Sequence, residues 1–156
     1  MTTFKQIAED LFIGSQPSEQ DLTHAQQLGI RTVIDLRMPG ETSAPNATAT
    51  ATKKHGLAYL NIPVDKSALS EQQIGQLDQA MQCMPGPYLL HCATGARAAL
   101  LLTLRRAREN GWTTARAFDE ARTIGFNLEG SAEFANFIRQ VTAGNTPGNA
   151  DRKKTV

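Results

Sequence analysis

Short apolar runs, each bounded by residues that favour turns, recur along the first two thirds of the chain. They are too short for helices and are rich in β-branched or aromatic residues, so they favour strands. We expect the first two to form a hairpin around Ala8-Glu9-Asp10, and Pro85-Gly86-Pro87 to precede the last. The predicted strands are Phe4–Ile7, Leu11–Gly14, Thr32–Leu36, Ala58–Ile62 and Tyr88–Leu90.

Longer amphipathic stretches alternate with these strands and carry helix-capping signals. Ser18 with Asp21, and Ser70 with Gln73, have the spacing of side chains that cap a helix N-terminus. The first predicted helix begins after Ser18 and ends at Gly29, and the second covers the Ala- and Thr-rich stretch 42–55. The remaining predicted helices span residues 70–84, 97–108, 114–124 and 131–141. Strands that alternate with helices predict an α/β fold with a mostly parallel central sheet flanked by helices.

Composition narrows the class of protein. A length of 156 residues suits one domain, which we place at residues 1–142, and the polar stretch 143–156 has no apolar periodicity and is predicted to be a disordered tail. A formal net charge of +1 argues against nucleic acid or an anionic membrane as partner. No apolar run is long enough to span a bilayer and the first residues do not resemble a secretory signal, so we expect a cytoplasmic protein. The scattered histidines and the lack of a glycine-rich nucleotide motif predict no metal and no cofactor.

The stretch from Tyr88 to Arg97 carries the strongest chemical signal. An apolar strand ends on His91-Cys92, and Arg97 follows at the start of a helix, so Ala93, Thr94, Gly95 and Ala96 form a tight loop. Backbone N–H groups at such a helix start favour the binding of an anion. Gly95 permits a backbone conformation with positive φ, which is strained for residues that carry a Cβ. The same surroundings favour the thiolate of Cys92. Arg97 adds a planar fork suited to two oxygens of an oxyanion.

Alternative interpretations of these residues stay open. In the functional interpretation His91 orients the loop and takes no part in acid–base chemistry. In the structural one Cys92 is a buried strand-end cysteine, Arg97 a surface residue of the first helical turn and His91 a core histidine with its hydrogen bonds satisfied. Asp65 and Arg37 follow other predicted strands, and the carboxyl ends of parallel strands share one edge of a sheet. Either could therefore approach Cys92, or Asp65 could be a solvated turn residue.

Two further side chains have structural interpretations. Arg37 could pair with Asp35 and still contact substrate. Cys83, near the end of an amphipathic helix, is predicted to be a small core residue rather than a redox partner of Cys92.

Several of these segments together resemble a known family. They are Leu11-Phe12-Ile13-Gly14-Ser15-Gln16-Pro17, Leu28 to Arg37, Ile62-Pro63-Val64-Asp65, and His91-Cys92 with Gly95 and Arg97. They are similar to the dual-specificity branch of the protein tyrosine phosphatases, and more closely to the bacterial phosphatase-like DUF442 domain of beta-lactamase hydrolase-like proteins. The resemblance implies the protein tyrosine phosphatase fold. It also implies a cysteine-dependent phosphatase that acts on a small anionic substrate or a phosphoprotein.

The resemblance also implies a role for each matching residue. Cys92 would form a cysteinyl-phosphate, Arg97 and the loop residues 93–96 would hold the phosphate oxygens, and Asp65 would protonate the leaving oxygen. His91 and Arg37 would support the site. Covalent catalysis divides one difficult step into two, and phosphoryl transfer depends mainly on positioning and electrostatics.

Two departures from the phosphatase pattern keep other functions open. Four residues separate Cys92 from Arg97 where these phosphatases have five, and Ala98 stands where they place a Ser or Thr. A loop of this length also resembles that of rhodanese-type sulfurtransferases, in which the cysteine carries a persulfide and Asp65 would have no role. An anion-binding module without turnover is the third possibility.

Overall fold

The computed structural model describes residues 4–39, 41 and 47–145. Within these residues five strands form one sheet in the order β1-β2-β5-β3-β4. β1 and β2 are antiparallel, which confirms the predicted hairpin, and the other three pairings are parallel. The strands are β1 Phe4–Ala8, β2 Leu11–Gly14, β3 Thr32–Asp35, β4 Ala58–Asn61 and β5 Tyr88–His91.

Six α-helices connect or follow the described strands, and their capping confirms the local sequence signals. Ser18 forms a capping box with Asp21, and Ser70 forms one with Gln73. The helices are α1 Glu19–Gln27, α2 Ala47–Lys54, α3 Glu71–Cys83, α4 Ala96–Asn110, α5 Thr114–Thr123 and α6 Ala132–Thr142. A single 3₁₀ turn, Leu128–Gly130, lies between the last two.

The two faces of the sheet are buried in separate apolar clusters, as expected for strands whose alternate side chains point in opposite directions. Val33 and Leu89 belong to the smaller cluster, together with Leu22 and Ala25 of α1. Ile34 and Leu90 belong to the larger cluster, which contains the apolar side chains of α3 to α6. Helix α4 lies at the centre of that larger cluster, so the loop that precedes it is anchored to the core.

The register of the sheet brings four strand ends to one edge. Gly14 pairs with His91, His91 pairs with Asp35, and Asp35 pairs with Asn61. The segments that follow β2, β5, β3 and β4 therefore leave the sheet side by side. This edge is where ligands bind in parallel α/β sheets.

Two predicted segments extend beyond the residues that the structure describes. Helix α2 begins at Ala47, and the predicted helical residues 42–46 lie outside the described residues, as does the predicted tail from residue 146 onward. Cys83 is exposed, so its assignment to the core was wrong: it is the last residue of α3 and lies beyond Ala80, where the buried stripe of that helix ends. No helix in the described ranges has the length and apolar character needed to cross a membrane.

Candidate active site

The loop between β5 and α4 forms the centre of the site. Strand β5 ends at His91, Cys92 is completely buried, and the backbone N–H of Gly95 donates a hydrogen bond to Cys92 Sγ at 3.0 Å. Gly95 has a φ of 96° and directly precedes α4. A Cβ at this position would lie 3.0 Å from Phe126 Cζ. Glycine is therefore required here both for the left-handed backbone and for space.

Backbone hydrogen bonds fix this loop to the neighbouring strand ends. The N–H of Cys92 donates to the carbonyl of Gly14 at 3.4 Å, and the N–H of Gln16 donates to the carbonyl of Ala93 at 3.4 Å. On the other side the N–H of Leu36 donates to the carbonyl of His91 at 2.8 Å. The loop conformation therefore depends on β2 and β3 as well as on its own sequence.

Arg97 is held by a carboxylate that sequence reasoning missed. Its Nη1 and Nη2 donate to Glu41 Oε2 and Oε1 at 2.5 and 2.7 Å, and Nη1 also donates to the carbonyl of Val64 at 3.0 Å. The hydrogen bonds from Arg97 lower the pKa of Glu41. The signal available in the sequence was an acid a few residues after Asp35-Leu36-Arg37, in the segment that follows β3.

Asp65 lies in the same groove as Arg97. This groove, of about 600 Å³, is lined by Asp65, Lys66, Thr94, Arg97 and Phe134, among others. Asp65 Oδ1 accepts hydrogen bonds from the Ser67 N–H at 2.9 Å and from Ser67 Oγ at 2.8 Å. These bonds stabilise the carboxylate and lower the pKa of Asp65. Asp65 and Arg97 thus line the same groove.

The predicted loop residues differ in their access to solvent. Ala93 and Thr94 are exposed, Ala96 is half-buried, and Gly95 is buried. Thr94 and Ala96 line the groove beside Arg97. The loop thus presents a rim of small side chains above the buried sulfur of Cys92.

A buried polar cluster lies beneath the loop. Arg37 is 5% exposed, and its Nε and Nη2 donate to Asp35 Oδ1 and Oδ2 at 3.0 and 2.9 Å. Tyr59 Oη donates to Asp35 Oδ2 at 2.6 Å, and Arg37 Nη2 donates to Thr48 Oγ1 at 2.8 Å. Burial opposes ionisation of Asp35, but the hydrogen bonds from Arg37 and Tyr59 hold the pKa of its carboxyl below the usual value. Arg37 is therefore a buried partner of Asp35 rather than part of the groove.

His91 adjoins this cluster in a wholly buried position. Its Nδ1 is 3.9 Å from Asp35 Oδ1, longer than a hydrogen bond. Burial lowers the pKa of His91 to about 4, although the charge of Asp35 acts in the opposite direction. At neutral pH the ring is therefore uncharged and supports the backbone beneath Cys92.

Sequence reasoning placed Cys92, Arg97 and Asp65 near one another, and the structure brings them together at the sheet edge. It missed Glu41, Tyr59 and Thr48, which lie far from the loop in sequence. Within the described ranges no three His, Cys, Asp or Glu side chains gather as a metal site would require.

A family model for the phosphatase-like domain of beta-lactamase hydrolase-like proteins matches residues 3–109. The beta-lactamase hydrolase-like protein of Xylella fastidiosa strain 9a5c is 34% identical over 103 residues, which cover 63% of this chain and 23% of that protein. The chain thus corresponds to about a quarter of that relative's length.

Solved structures resemble the whole fold. A candidate phosphatase from Neisseria meningitidis has a TM-score of 0.75 and 27% identity, covering 90% of this chain and 99% of its own. P. aeruginosa TpbA, solved in complex with phosphotyrosine, has a TM-score of 0.65 and 17% identity, covering 91% of each chain. The similarity extends to Tk-PTP, with a TM-score of 0.72. The fold is that of the protein tyrosine phosphatases.

Proposed function

We propose that this chain, which belongs to the family of phosphatase-like domains of beta-lactamase hydrolase-like proteins, hydrolyses phosphate monoesters through a cysteinyl-phosphate on Cys92. The observation that supports this most directly is the arrangement around Cys92. Its sulfur accepts the Gly95 N–H, and the groove above the loop contains both Arg97 and Asp65. The proposed nucleophile Cys92, the proposed proton donor Asp65, and Arg97, whose guanidinium would exchange Glu41 for the phosphate oxygens, thus lie at the same edge of the sheet.

In the first step the thiolate of Cys92 attacks phosphorus as the bond from phosphorus to the leaving oxygen breaks. Arg97 and the loop N–H groups bind the other phosphate oxygens, and Asp65 gives its proton to the leaving oxygen. In the second step water attacks phosphorus, Asp65 takes a proton from that water, and the sulfur–phosphorus bond breaks. The products are inorganic phosphate and the regenerated thiolate.

The proposed catalytic unit is residues 1–142, and the proposed substrate is a small phosphate ester or a phosphoprotein. TpbA was crystallised with phosphotyrosine, which supports an anionic phosphate ester as ligand of this fold. We also propose a cytoplasmic location, which would keep Cys92 reduced. The comparisons favour phosphatase chemistry over sulfur transfer.

The test compares purified wild type, Cys92→Ser and Asp65→Asn. One set of assays measures nitrophenol release from p-nitrophenyl phosphate, and the other measures thiocyanate from thiosulfate and cyanide. We expect nitrophenol release that is lost in Cys92→Ser and falls about 100-fold or more in Asp65→Asn. The proposal would be contradicted if the protein produced thiocyanate but released no nitrophenol, if this thiocyanate production required Cys92, and if Asp65→Asn produced thiocyanate as fast as wild type.

A further inference from the structure

A second groove opens on the other side of the Cys92–Arg97 loop. It has a volume of about 300 Å³, and its lining includes Lys5, Ser15, Thr94, Gly125 and Phe126. Thr94 also lines the larger groove that contains Asp65 and Arg97. The two grooves therefore meet at Thr94, on the exposed rim of the loop that the proposed phosphate would occupy.

Lys5 gives this second groove its charge. It is the one charged residue among the described residues that line it, and no described ion pair involves Lys5. The acids of the larger groove, Glu41 and Asp65, are not part of its lining. The second groove is therefore positively charged, whereas the first combines both signs.

The end of helix α5 creates the space that Lys5 occupies. Gly125 follows that helix with a φ of 97°, and a Cβ there would lie only 2.7 Å from Lys5 Nζ. The C-terminal end of a helix carries a partial negative charge of about half an elementary charge, which favours the ammonium there without cancelling its full positive charge. The absence of a side chain at Gly125 thus leaves room for the ammonium group beside the backbone that follows α5.

We propose that this second groove binds a second phosphate group of the substrate, so that the preferred substrate is a small bisphosphorylated molecule. The proposal rests on the proposed function, because the first phosphate occupies the Cys92–Arg97 loop. Lys5 supplies the charge for the second phosphate, and Thr94, which lines both grooves, would lie between the two phosphate groups. A compact ammonium on a flexible stem is suited to a phosphate whose orientation is not fixed by a bidentate contact.

The experiment measures binding rather than turnover. The Cys92→Ser protein is titrated calorimetrically with alkanediol bisphosphates, from propanediol to hexanediol, and with the matching monophosphates. A bisphosphate can place either of its two phosphates in the first site, which by itself doubles its apparent affinity. After correction for this factor, we expect the best bisphosphate to bind roughly threefold to tenfold more tightly than its monophosphate. Adding Lys5→Met should remove this advantage and leave monophosphate affinity unchanged.

Lys54→Met is the matched control, because it removes the same charge from α2, outside both grooves. It should preserve the bisphosphate advantage. Equal affinities for bisphosphates and monophosphates, or an equal loss of both on Lys5→Met, would overturn the second-groove proposal while leaving the phosphatase proposal in place. Failure of every monophosphate to bind would count against both proposals.

Discussion

The buried ring of His91 should make the stability of this protein depend on pH in a specific window. In the unfolded chain a histidine has a pKa of about 6.5, whereas burial lowers the pKa of His91 to about 4 in the folded protein. A lowered folded-state pKa contributes stability that is complete above pH 6.5 and is lost as the pH falls toward 4. Between those values the unfolded state binds a proton that the folded state excludes.

The magnitude follows from the width of that window. Each pH unit within it changes the free energy of unfolding by about 1.4 kcal/mol for one proton. Lowering the pH from 7.5 to 5.0 crosses about 1.5 units of the window, so His91 should account for a loss of about 2 kcal/mol. The nearby carboxyls of Asp35 and Glu41, whose pKa values are lowered, remain ionised over this range and add little.

The assay is urea unfolding of wild type and His91→Gln at both pH values. Glutamine carries no titratable proton, so the variant should lose about 2 kcal/mol less than wild type on acidification, whatever its stability at pH 7.5. An NMR titration of the His91 ring in the wild type gives a second readout that needs no variant. Equal losses in the two proteins, or a His91 ring that titrates near 6.5, would refute the reasoning.

Two other sites give predictions that can be checked separately. The Asp65 carboxylate is stabilised by the backbone N–H of Ser67 and, to a smaller extent, by its hydroxyl. Ser67→Ala removes only the hydroxyl bond, so it should raise the pKa of Asp65 part of the way, shift the alkaline limb of the kcat profile to higher pH and increase phosphatase activity at neutral pH. A pH–rate profile unchanged from wild type would contradict this. Gly95→Ala should destabilise the protein by about 1–2 kcal/mol through its positive φ, with an additional contribution from contact with Phe126. The control is Gly75→Ala, within α3, where an added Cβ has no neighbouring atom within 4 Å. It should stabilise the protein by about 0.5–1 kcal/mol in the same urea assay. Equal effects of the two substitutions on the free energy of unfolding would contradict this reasoning.

The features that could be predicted from the sequence involve residues that lie close together along the chain. The capping boxes of α1 and α3 join residues three positions apart, and the loop from Cys92 to Arg97 lies within one short segment. Apolar periodicity gave the strands and the α/β class in the same way. Such signals can be detected because the interacting groups and their spacing are both visible in one stretch of chain.

The features that were missed join distant parts of the chain. Glu41 binds Arg97 across 56 positions, and Tyr59 binds Asp35 across 24. Their pairing follows from the order and register of the parallel strands, which a single sequence does not specify. Cys83 was misplaced for a related reason, since helical periodicity does not show whether other parts of the chain cover the last turn of α3.

The pairing of β2 with β5 also affects how the site is assembled during folding. Gly14 and His91 are partners in the sheet although about half of the chain lies between them. Contacts of such high sequence separation require closure of a long loop and form slowly compared with local helices. The loop from Cys92 to Arg97 therefore reaches its folded conformation only when β2 has paired with β5. Recovery of phosphatase activity after dilution from denaturant would report that long-range step rather than the earlier formation of helices.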